Sequence, residues 1–578
     1  MEKSRFGPAR VPAPLQLSRR RFVRGLSGTL ATAALYSGGV IATGVQGRES
    51  QDAPAARRGA TGRALAGSSA HNSMQPARTD FDLEVSSIDV NFTGARRSAV
   101  AVNGQVPGPL LVWPEGEIIT VRVKNRLSVP TSIHWHGVIV PADMDGVPGV
   151  SFAGIPPGET FVYRFRVNQA GTYWYHSHSR FQEQVGLYGP LVILPRGGQR
   201  HAADREHVVL LSDWSDTDPE RIYRMLKLQS EYYNYGQETA ADFFDSVHKQ
   251  GWKSAVGERR MWGEMRMNRT DLADVSGYTY TYLMNGVPPA GNWTGLFKPG
   301  ERVRLRLING SSMSFFDVRI PGLKLSVVAA DGPDIEPVSV DELRIAAGEV
   351  YDVIVSPQEE RAYTIFAQSI DRSGYARGTL APRPGLESEV PAMDPRQLLT
   401  MTDMGMGMGP QTSMGPMVDS VAAEPRRDLD DPGVGLRGNG RRVLTYSDLR
   451  TLAPPIDSRA PSRDIVLHLT GHMERFVWSF NGRKFSESEP LKLNYGERLR
   501  LVLINDSMMN HPIHLHGMWG EIEGPDARVL VRKHTINVQP AQRLSYFVTA
   551  DAIGRWAYHC HLLYHMEAGM FREVHVDV

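Results

Sequence analysis

The chain of 578 residues contains one cysteine, so an internal disulfide cannot form and disulfide-stapled folds are excluded. It has no surplus of either charge, with 64 Lys and Arg residues against 63 Asp and Glu residues. Without a basic surplus there is no electrostatic footprint for nucleic acid, and we expect no nucleic-acid partner. No apolar run of about 20 residues follows the N-terminal segment, so we expect no membrane-spanning helix in the mature protein.

The first residues have the pattern of an export signal. Three arginines, Arg19, Arg20 and Arg21, precede the apolar Phe22, and a mildly apolar stretch rich in Gly, Ala and Thr spans about 25–45. Such a stretch behind paired arginines is typical of a twin-arginine signal, and an ordinary secretory signal with a basic start is the alternative. We therefore predict a twin-arginine signal peptide at 1–50, a disordered leader at 51–79 and export to the periplasm.

Three segments of the remaining chain share one frame. In each, an Asn-Gly turn precedes a Gly-Glu pair that opens a strand of alternating apolar and polar residues. The three strands end at Asn125, Asn309 and Asn505. Alternation with a period of two marks a half-buried strand, and self-similarity at about 190 residues marks three copies of one β domain. We predict β domains at 80–200, 201–380 and 440–578, a partly helical insert at about 218–274 and a Met-rich linker at 381–439.

Histidine recurs in the same register of the first and third repeats. There it forms four H-x-H pairs, which are His134/His136, His176/His178, His514/His516 and His559/His561. The second repeat has Val318 and Ile320 in matching positions, so it should lack ligands. The two histidines of a pair share one face of a strand, so the four pairs could meet where the two repeats touch. Eight imidazoles suit a cluster of three copper ions, whereas zinc sites usually close with four ligands.

The single cysteine, Cys560, lies between His559 and His561. Blue-copper centres need two imidazoles and one thiolate in a plane, with a weak axial thioether. The residues whose spacing could supply that set are His511, Cys560, His565 and Met570. Because faces alternate along a strand, Cys560 could serve one metal site while its two histidine neighbours serve another.

These motifs resemble those of the multicopper oxidases, a family that includes laccases, ascorbate oxidase and bacterial cuprous oxidases. The resemblance covers essentially the whole chain after the signal. It implies an all-β fold of three cupredoxin-like Greek-key β-sandwich domains, with the helical insert in the second. It also implies an enzyme that reduces O2 to water using four copper ions, one of type 1, one of type 2 and two of type 3.

The resemblance gives each motif residue a role. Type 1 copper would be bound by His511, Cys560, His565 and Met570. Type 2 copper would be bound by His134 and His514. The type 3 pair would be bound by His136, His176, His178, His516, His559 and His561. Cys560 would also transfer electrons, because the backbone joins it to His559 and His561.

Forming water consumes protons, and Asp145 is the predicted proton relay. It follows the first histidine pair, where the resembling family often has a carboxylate near the cluster. The alternative is an ordinary turn aspartate before Gly146. Some bacterial relatives have a glutamate directly before the type 1 histidine, but this chain has Tyr564 there, so the resemblance does not extend to that relay.

Methionine is abundant in the predicted linker. The candidate Cu(I) tract consists of Met401, Met404, Met406, Met408, Met414 and Met417. Thioethers are soft ligands that prefer Cu(I), and the Gly and Pro residues between them favour a flexible tether. The alternative is a low-complexity linker in which Met is incidental. A second group, Met261, Met265 and Met267, is better explained as core filler, and Met508 and Met509 could approach the type 1 site.

With the signal, the Met tract and the motif at 279–286, the chain most closely resembles the copper-resistance protein A type. That resemblance implies a periplasmic oxidase of Cu(I) that acts in copper resistance. Two alternatives stay open, a laccase-like phenol oxidase and a copper-sequestering protein with incidental oxidase activity. The expected partners are O2, Cu(I) or small reductants and periplasmic copper carriers, and we expect a monomer.

Overall fold

A computed structural model describes residues 75–405 and 417–578, all of which lie within one compact unit. The regular structure is mostly β, in six sheets. Among the helices of these ranges, none has the length and apolar content that crossing a bilayer requires. The predicted signal peptide, the leader up to residue 74 and the centre of the Met tract (406–416) lie outside the described residues.

The first repeat forms two four-stranded sheets. Its strands are β1 (Asp80–Val90), β2 (Arg97–Val102), β3 (Leu111–Pro114), β4 (Ile118–Asn125), β5 (His134–His136), β6 (Thr160–Arg166), β7 (Gly171–His176) and β8 (Tyr188–Leu194). The sheet orders are β2-β1-β4-β6 and β3-β8-β7-β5. Alternate residues of each strand turn inwards, and side chains such as Val121 and Trp135 from the two sheets share one core.

The second repeat forms a six-stranded and a five-stranded sheet. Its strands are β9 (Arg205–Trp214), β10 (Thr281–Met284), β11 (Trp293–Leu296), β12 (Val303–Asn309), β13 (Phe316–Arg319), β14 (Leu325–Ala330), β15 (Asp334–Val340), β16 (Glu342–Ile345), β17 (Val350–Val355), β18 (Tyr363–Ser369) and β19 (Tyr375–Ala381). The sheet orders are β10-β9-β12-β17-β14-β15 and β11-β19-β18-β13-β16.

The third repeat has the same strand orders as the second. Its strands are β20 (Arg463–His472), β21 (Val477–Phe480), β22 (Leu491–Asn494), β23 (Arg498–Asn505), β24 (His511–Leu515), β25 (Gly520–Glu523), β26 (Val529–Lys533), β27 (Thr535–Val538), β28 (Arg543–Thr549), β29 (Gly554–Cys560) and β30 (Phe571–Asp577). The sheet orders are β21-β20-β23-β28-β25-β26 and β22-β30-β29-β24-β27.

Three helices lie between β9 and β10, so the predicted helical insert in the second repeat is confirmed. They are α1 (Pro219–Leu228), α2 (Ala240–Gln250) and α3 (Trp252–Met265), and a short helix α4 (Leu563–Glu567) follows β29. Asp218 caps α1 and Thr239 caps α2, because their side chains accept the backbone N–H groups that a helix start leaves unpaired. Single 3-10 turns span Ala142–Met144, Ser230–Tyr233, Pro289–Gly291, Tyr446–Asp448, Met473–Arg475 and Phe485–Glu487.

The asparagine that ends the repeat strand makes the same hydrogen bonds in all three repeats. Nδ2 of Asn309 donates to the carbonyl oxygens of Ser314 at 2.8 Å and Ile345 at 3.0 Å, and its Oδ1 accepts the Ser311 N–H at 3.1 Å. Asn125 and Asn505 repeat this pattern. The side chain thus ties the strand end to the loop that follows, and in the first and third repeats that loop leads to the histidines.

We expect Asn309→Ala to lower the free energy of unfolding by about 3 kcal/mol, because three buried hydrogen bonds are lost at about 1 kcal/mol each. The measurement is the urea midpoint of the purified protein. Asn494→Ala, at an exposed position near the end of β22, is the matched control. Equal midpoints for the two variants would contradict a structural role for the repeated asparagine.

Candidate metal centre

The four histidine pairs meet between the first and third repeats and form one group of eight imidazoles, which we call the histidine cluster. Pairing of β5 with β7 sets His134 opposite His176, and pairing of β24 with β29 sets His514 opposite His559. The repeats meet ring on ring: His136 stacks on His514, with ring centroids 3.9 Å apart. His134 stacks on His516 at the same separation. The structure therefore brings together all eight histidines that the sequence pairs.

Many of these rings have a buried nitrogen without a hydrogen-bond partner among the described residues. These atoms are His134 Nε2, His136 Nδ1, His176 Nε2, His178 Nε2, His514 Nε2 and both ring nitrogens of His561. Burying polar atoms unpaired is unfavourable unless something takes their lone pairs. Trios such as His178, His516 and His559 have ligand atoms within 4.8 Å of one another. The donor set therefore fits metal ions, and imidazole suits copper.

Hydrogen bonds to the opposite ring nitrogen fix which nitrogen faces the cluster. The acceptors of the Nδ1–H groups are the Asp145 backbone oxygen for His134, the Ser177 oxygen for His176, the His534 oxygen for His514, Asp145 Oδ2 for His516 and the Cys560 oxygen for His559. These hydrogen bonds range from 2.7 Å at the His534 oxygen to 3.2 Å at the Ser177 oxygen, and Glu183 Oε2 makes a further contact with His176 Nδ1 at 2.6 Å. Partners of this kind orient metal-binding histidines and hold them in one tautomer.

Burial favours the neutral form of seven of the cluster imidazoles. It lowers the pKa of His559 to about 4 and holds the pKa values of six others well below the usual range, those of His136, His176, His178, His514, His516 and His561. Neighbouring imidazoles add to the effect, because two positive rings side by side would repel. A neutral ring keeps the lone pair that a metal ion requires.

Cys560 faces away from the histidine cluster, towards a group that we call the sulfur site (His511, Cys560, His565 and Met570). Its Sγ lies 3.5 Å from His511 Nδ1 and 3.8 Å from His565 Nδ1, and those two nitrogens are 3.2 Å apart. Met570 is fully buried, and its backbone N–H donates to the His565 oxygen. One thiol and two imidazoles thus converge on one point, as the five-residue spacing predicted.

Both histidines of the sulfur site have a hydrogen-bond partner at Nε2, the ring nitrogen that faces away from Cys560. His511 Nε2 lies 2.7 Å from Ser507 Oγ, and His565 Nε2 lies 2.7 Å from Asp274 Oδ2. Trp478 stacks on the His565 ring, with centroids 3.9 Å apart. Burial raises the pKa of the Cys560 thiol, so a bound metal ion must displace its proton.

The corresponding place in the first repeat holds no such donor set. Ser177 and Thr131 stand there in place of Cys560 and His511, and both donate to Gln182 Oε1, at 3.0 Å and 2.7 Å. Gln182 follows Ser177 by the five residues that separate His565 from Cys560. Neutral groups that satisfy one another leave little reason to bind a metal ion.

Comparison with known proteins agrees with this geometry. Three family models, each described as multicopper oxidase, match residues 84–198, 205–383 and 458–578. The copper resistance protein A homolog of Pseudomonas syringae pv. tomato is 56% identical over 545 residues, covering 86% of this chain and 92% of that protein. Copper resistance protein A of Escherichia coli is 55% identical and covers 86% of this chain and 93% of its own length.

The chain belongs to the multicopper oxidase family. It is therefore an oxidoreductase with copper cofactors, as the motifs predicted. The solved laccase from Botrytis aclada has a TM-score of 0.63 at 23% identity, covering 88% of this chain and 89% of its own. That likeness shows the fold alone, and it confirms the predicted all-β architecture of cupredoxin-like domains.

The methionines of this multicopper oxidase are more deeply packed than their Gly-rich surroundings suggest. Met404 is only 2% exposed and belongs to the main core, so the prediction of a flexible tether is wrong at that residue. Met401 packs against the same core, and Met417 Sδ accepts a hydrogen bond from Arg475 at 3.4 Å. Met406, Met408 and Met414 lie outside the described residues. Met265 and Met267 are buried in the core, which confirms them as core filler, whereas Met261 is 38% exposed. Met508 and Met509, just before His511 in the chain, are also buried.

Several residues at this metal centre carry no sequence signal. Glu183 and Asp274 contact proposed ligands but stand outside every motif, and Asp274 is 291 positions from its partner His565. His534 and Thr535 also lie beside the cluster, although neither belongs to an H-x-H pair. The strand pairing of β24 with β27 brings this pair of residues to the cluster, and a pattern in one sequence does not show it.

We expect Cys560→Ser to abolish the intense visible absorption of a copper–thiolate bond and to lower copper content by about one ion per chain. The reason is that serine cannot provide the soft thiolate on which the sulfur site depends. Copper analysis and the visible spectrum of the purified protein measure both effects. Ser177→Ala, at the matching position of the first repeat, should leave the absorption unchanged, and blue colour surviving in Cys560→Ser would contradict the account.

Proposed function

We propose that this multicopper oxidase oxidises Cu(I), reduces O2 to water and acts in copper resistance. The observation that carries the proposal is that three consecutive residues at the end of β29 serve both sites. Cys560, at the sulfur site, is joined by the backbone to His559 and His561, at the histidine cluster. A site suited to single electrons is thus connected covalently to a site with ligands for several ions. The relatives described above carry the name copper resistance protein A.

In this proposal the ligands have the roles that the family motifs imply. Type 1 copper is bound by His511, Cys560, His565 and Met570. Type 2 copper is bound by His134 and His514. The type 3 pair is bound by His136, His176, His178, His516, His559 and His561. When bound, the copper ions supply the one-electron redox chemistry and the affinity for O2 on which the reaction depends.

The chain's own residues bury these ligands and fix their orientation. The Asp145 carboxylate is central, because its Oδ2 lies 2.9 Å from His516 Nδ1 while its backbone oxygen lies 2.8 Å from His134 Nδ1. Asp145 therefore contacts ligands from both repeats. We assign it the role of proton relay, since a buried carboxylate beside the cluster is well placed to pass on the protons that water formation consumes.

The surroundings of His565 favour a cation as the electron donor. Asp274 accepts the His565 Nε2–H, and Asp271 lies next to it. Within the described ranges, Asp274 Oδ1 and Asp271 Oδ2 are buried and have no hydrogen-bond partner. Burial raises the pKa of both carboxyls, that of Asp274 to about 8, so a positive ion that paired with them would relieve the cost. A neutral phenol could donate a hydrogen bond to one of these oxygens, but it would not neutralise the charge of the pair.

The place of action follows from the arginine pair. We assign export by the twin-arginine pathway to the periplasm, where the protein would act as a monomer that meets Cu(I) directly or on periplasmic copper carriers. Replacing Arg20 and Arg21 with lysine should leave the protein in the cytoplasm. Cell fractionation with an antibody measures this, and unchanged periplasmic protein would contradict the assignment.

Oxygen uptake separates the proposed function from its alternatives. We expect the copper-loaded protein, in aerated buffer, to consume O2 when a Cu(I) solution that was prepared anaerobically is added. A triple variant, Met406→Leu, Met408→Leu and Met414→Leu, should lose about tenfold in kcat/KM for Cu(I), equivalent to about 1.4 kcal/mol of transition-state stabilisation. We expect this loss because the substitutions remove thioethers that would bind Cu(I) before it is oxidised. Turnover of a simple phenol should be unchanged in the same variant.

The outcomes differ for each alternative. Stoichiometric copper binding without O2 uptake would favour sequestration and overturn the oxidase proposal. Faster turnover of the phenol than of Cu(I), with no effect of the triple variant on either, would favour a laccase-like phenol oxidase. Met265→Leu, a substitution in the buried core, is the control for a loss of methionine as such.

A further inference from the structure

The hydroxyl of Thr535 lies among three imidazole nitrogens. Its Oγ1 is 3.0 Å from His136 Nε2, 3.1 Å from His534 Nδ1 and 3.4 Å from His514 Nδ1. Thr535 is fully buried and sits directly opposite His514 in the pairing of β24 with β27. A hydroxyl can donate one hydrogen bond and accept two, so it can determine which of these ring nitrogens donate and which accept.

His136 is bound differently from the cluster histidines whose Nδ1 is anchored. In His134, His176 and His514 the unpartnered nitrogen is Nε2, whereas in His136 it is Nδ1, counting all partners in the described ranges. A neutral ring has one hydrogen. If Nδ1 of His136 offers a lone pair, the hydrogen is on Nε2, and it can be donated to Thr535 Oγ1.

The remaining hydrogens follow from the same contacts. The Nδ1–H of His514 is already donated to the His534 oxygen at 2.7 Å, a much shorter contact than its 3.4 Å to Thr535. The hydroxyl hydrogen of Thr535 is then free to be donated to His534 Nδ1. The result is two successive hydrogen bonds, from His136 Nε2–H to Thr535 Oγ1 and from the Thr535 hydroxyl to His534 Nδ1. The hydroxyl thereby determines that Nδ1 of His136 carries the lone pair.

A carboxylate from the second repeat holds Thr535 in place. Asp331 Oδ2 accepts the backbone N–H groups of both His534 and Thr535, each at 3.1 Å. Its Oδ1 lies 3.0 Å from Lys533 Nζ, which is also 3.1 Å from Glu349. All of these side chains are buried. A buried charge network with most of its groups paired is rigid, because any movement would leave a charge unpaired in a low dielectric.

We propose that Thr535, held by Asp331 of the ligand-free second repeat, is a positioning residue that makes His136 offer Nδ1 rather than Nε2 to the histidine cluster. The proposal rests on the proposed ligand role of His136. It gives the second repeat a part in building the cluster, although that repeat contributes no ligand itself. Without the hydroxyl, the Nε2–H of His136 would be buried without an acceptor, and the ring would be free to rotate.

The test compares Thr535→Val, which keeps the shape and removes the hydroxyl, with Thr535→Ser, which keeps the hydroxyl. The first readout is copper bound per chain after dialysis against a graded series of chelator concentrations. The second is electron paramagnetic resonance of the oxidised protein. It gives the number of isolated Cu(II) ions, and the difference from the total copper content gives the number in coupled pairs, which are silent. Neither readout uses turnover of Cu(I) or of a phenol, so failure of the proposed function would not be mistaken for failure here.

We expect Thr535→Val to bind copper at the His136 position about 10- to 100-fold more weakly, the usual effect of removing a partner of a metal-binding histidine. Silent copper should fall, and the absorption of the sulfur site should persist. Thr535→Ser should restore copper binding. Unchanged affinity and resonance in Thr535→Val would overturn the proposal, as would equal losses in both variants, which would indicate packing rather than the hydroxyl.

If Thr535→Val does not fold, Thr535→Ala carries the same expectation against Thr535→Ser. A crystal structure of the copper-loaded variant adds a direct view of the ring. We expect His136 to be rotated or disordered where the hydroxyl is missing. A His136 ring that keeps its orientation and its Nδ1 contact without the hydroxyl would contradict the proposal.

Discussion

The constraint on which this structure depends is the burial of eight imidazoles, six of which have a ring nitrogen without a hydrogen-bond partner in the described protein. Such atoms are costly in a dry interface unless metal ions take their lone pairs. The cost is shared by two repeats, since His136 stacks on His514 and His134 on His516. Metal binding and the association of the first and third repeats are therefore one problem. The arrangement that satisfies the nitrogens is also the one that brings the repeats together.

The second repeat has a larger part than its lack of ligands suggests. It supplies Asp274, which accepts the hydrogen of His565 at the sulfur site. It also supplies Asp331, which accepts two backbone N–H groups beside the histidine cluster. Carboxylates that fix ligand rings from behind are a general feature of protein metal sites. The proposed metal-binding residues and the carboxylates that orient them thus come from different copies of one β domain.

Local patterns made much of the fold and ligand set predictable. The alternating strands and the closing asparagines recur at a fixed spacing, because each β domain needs the same hydrogen bonds at the same strand end. The H-x-H pairs are visible because two neighbours on one strand face must stand two residues apart. Cys560 is conspicuous as the single cysteine. These features are short-range, so one sequence is enough to find them.

The supporting residues could not be predicted in this way. Asp274 and Thr535 are distant in sequence from the ligands they contact, at 291 positions from His565 and 399 positions from His136. The prediction for Met404 failed for a related reason, since its Gly-rich neighbourhood indicates a flexible segment while its side chain joins the main hydrophobic core. Contacts at such separations depend on how domains pack, and no local period records them.

The most direct measurement is a crystal structure of the copper-loaded protein with anomalous scattering recorded at the copper edge. The account predicts four copper peaks, three enclosed by the eight paired histidines and one bound by Cys560, His511 and His565. Peaks elsewhere, fewer than three ions among the histidines, or a sulfur atom of Cys560 that binds no copper would contradict it.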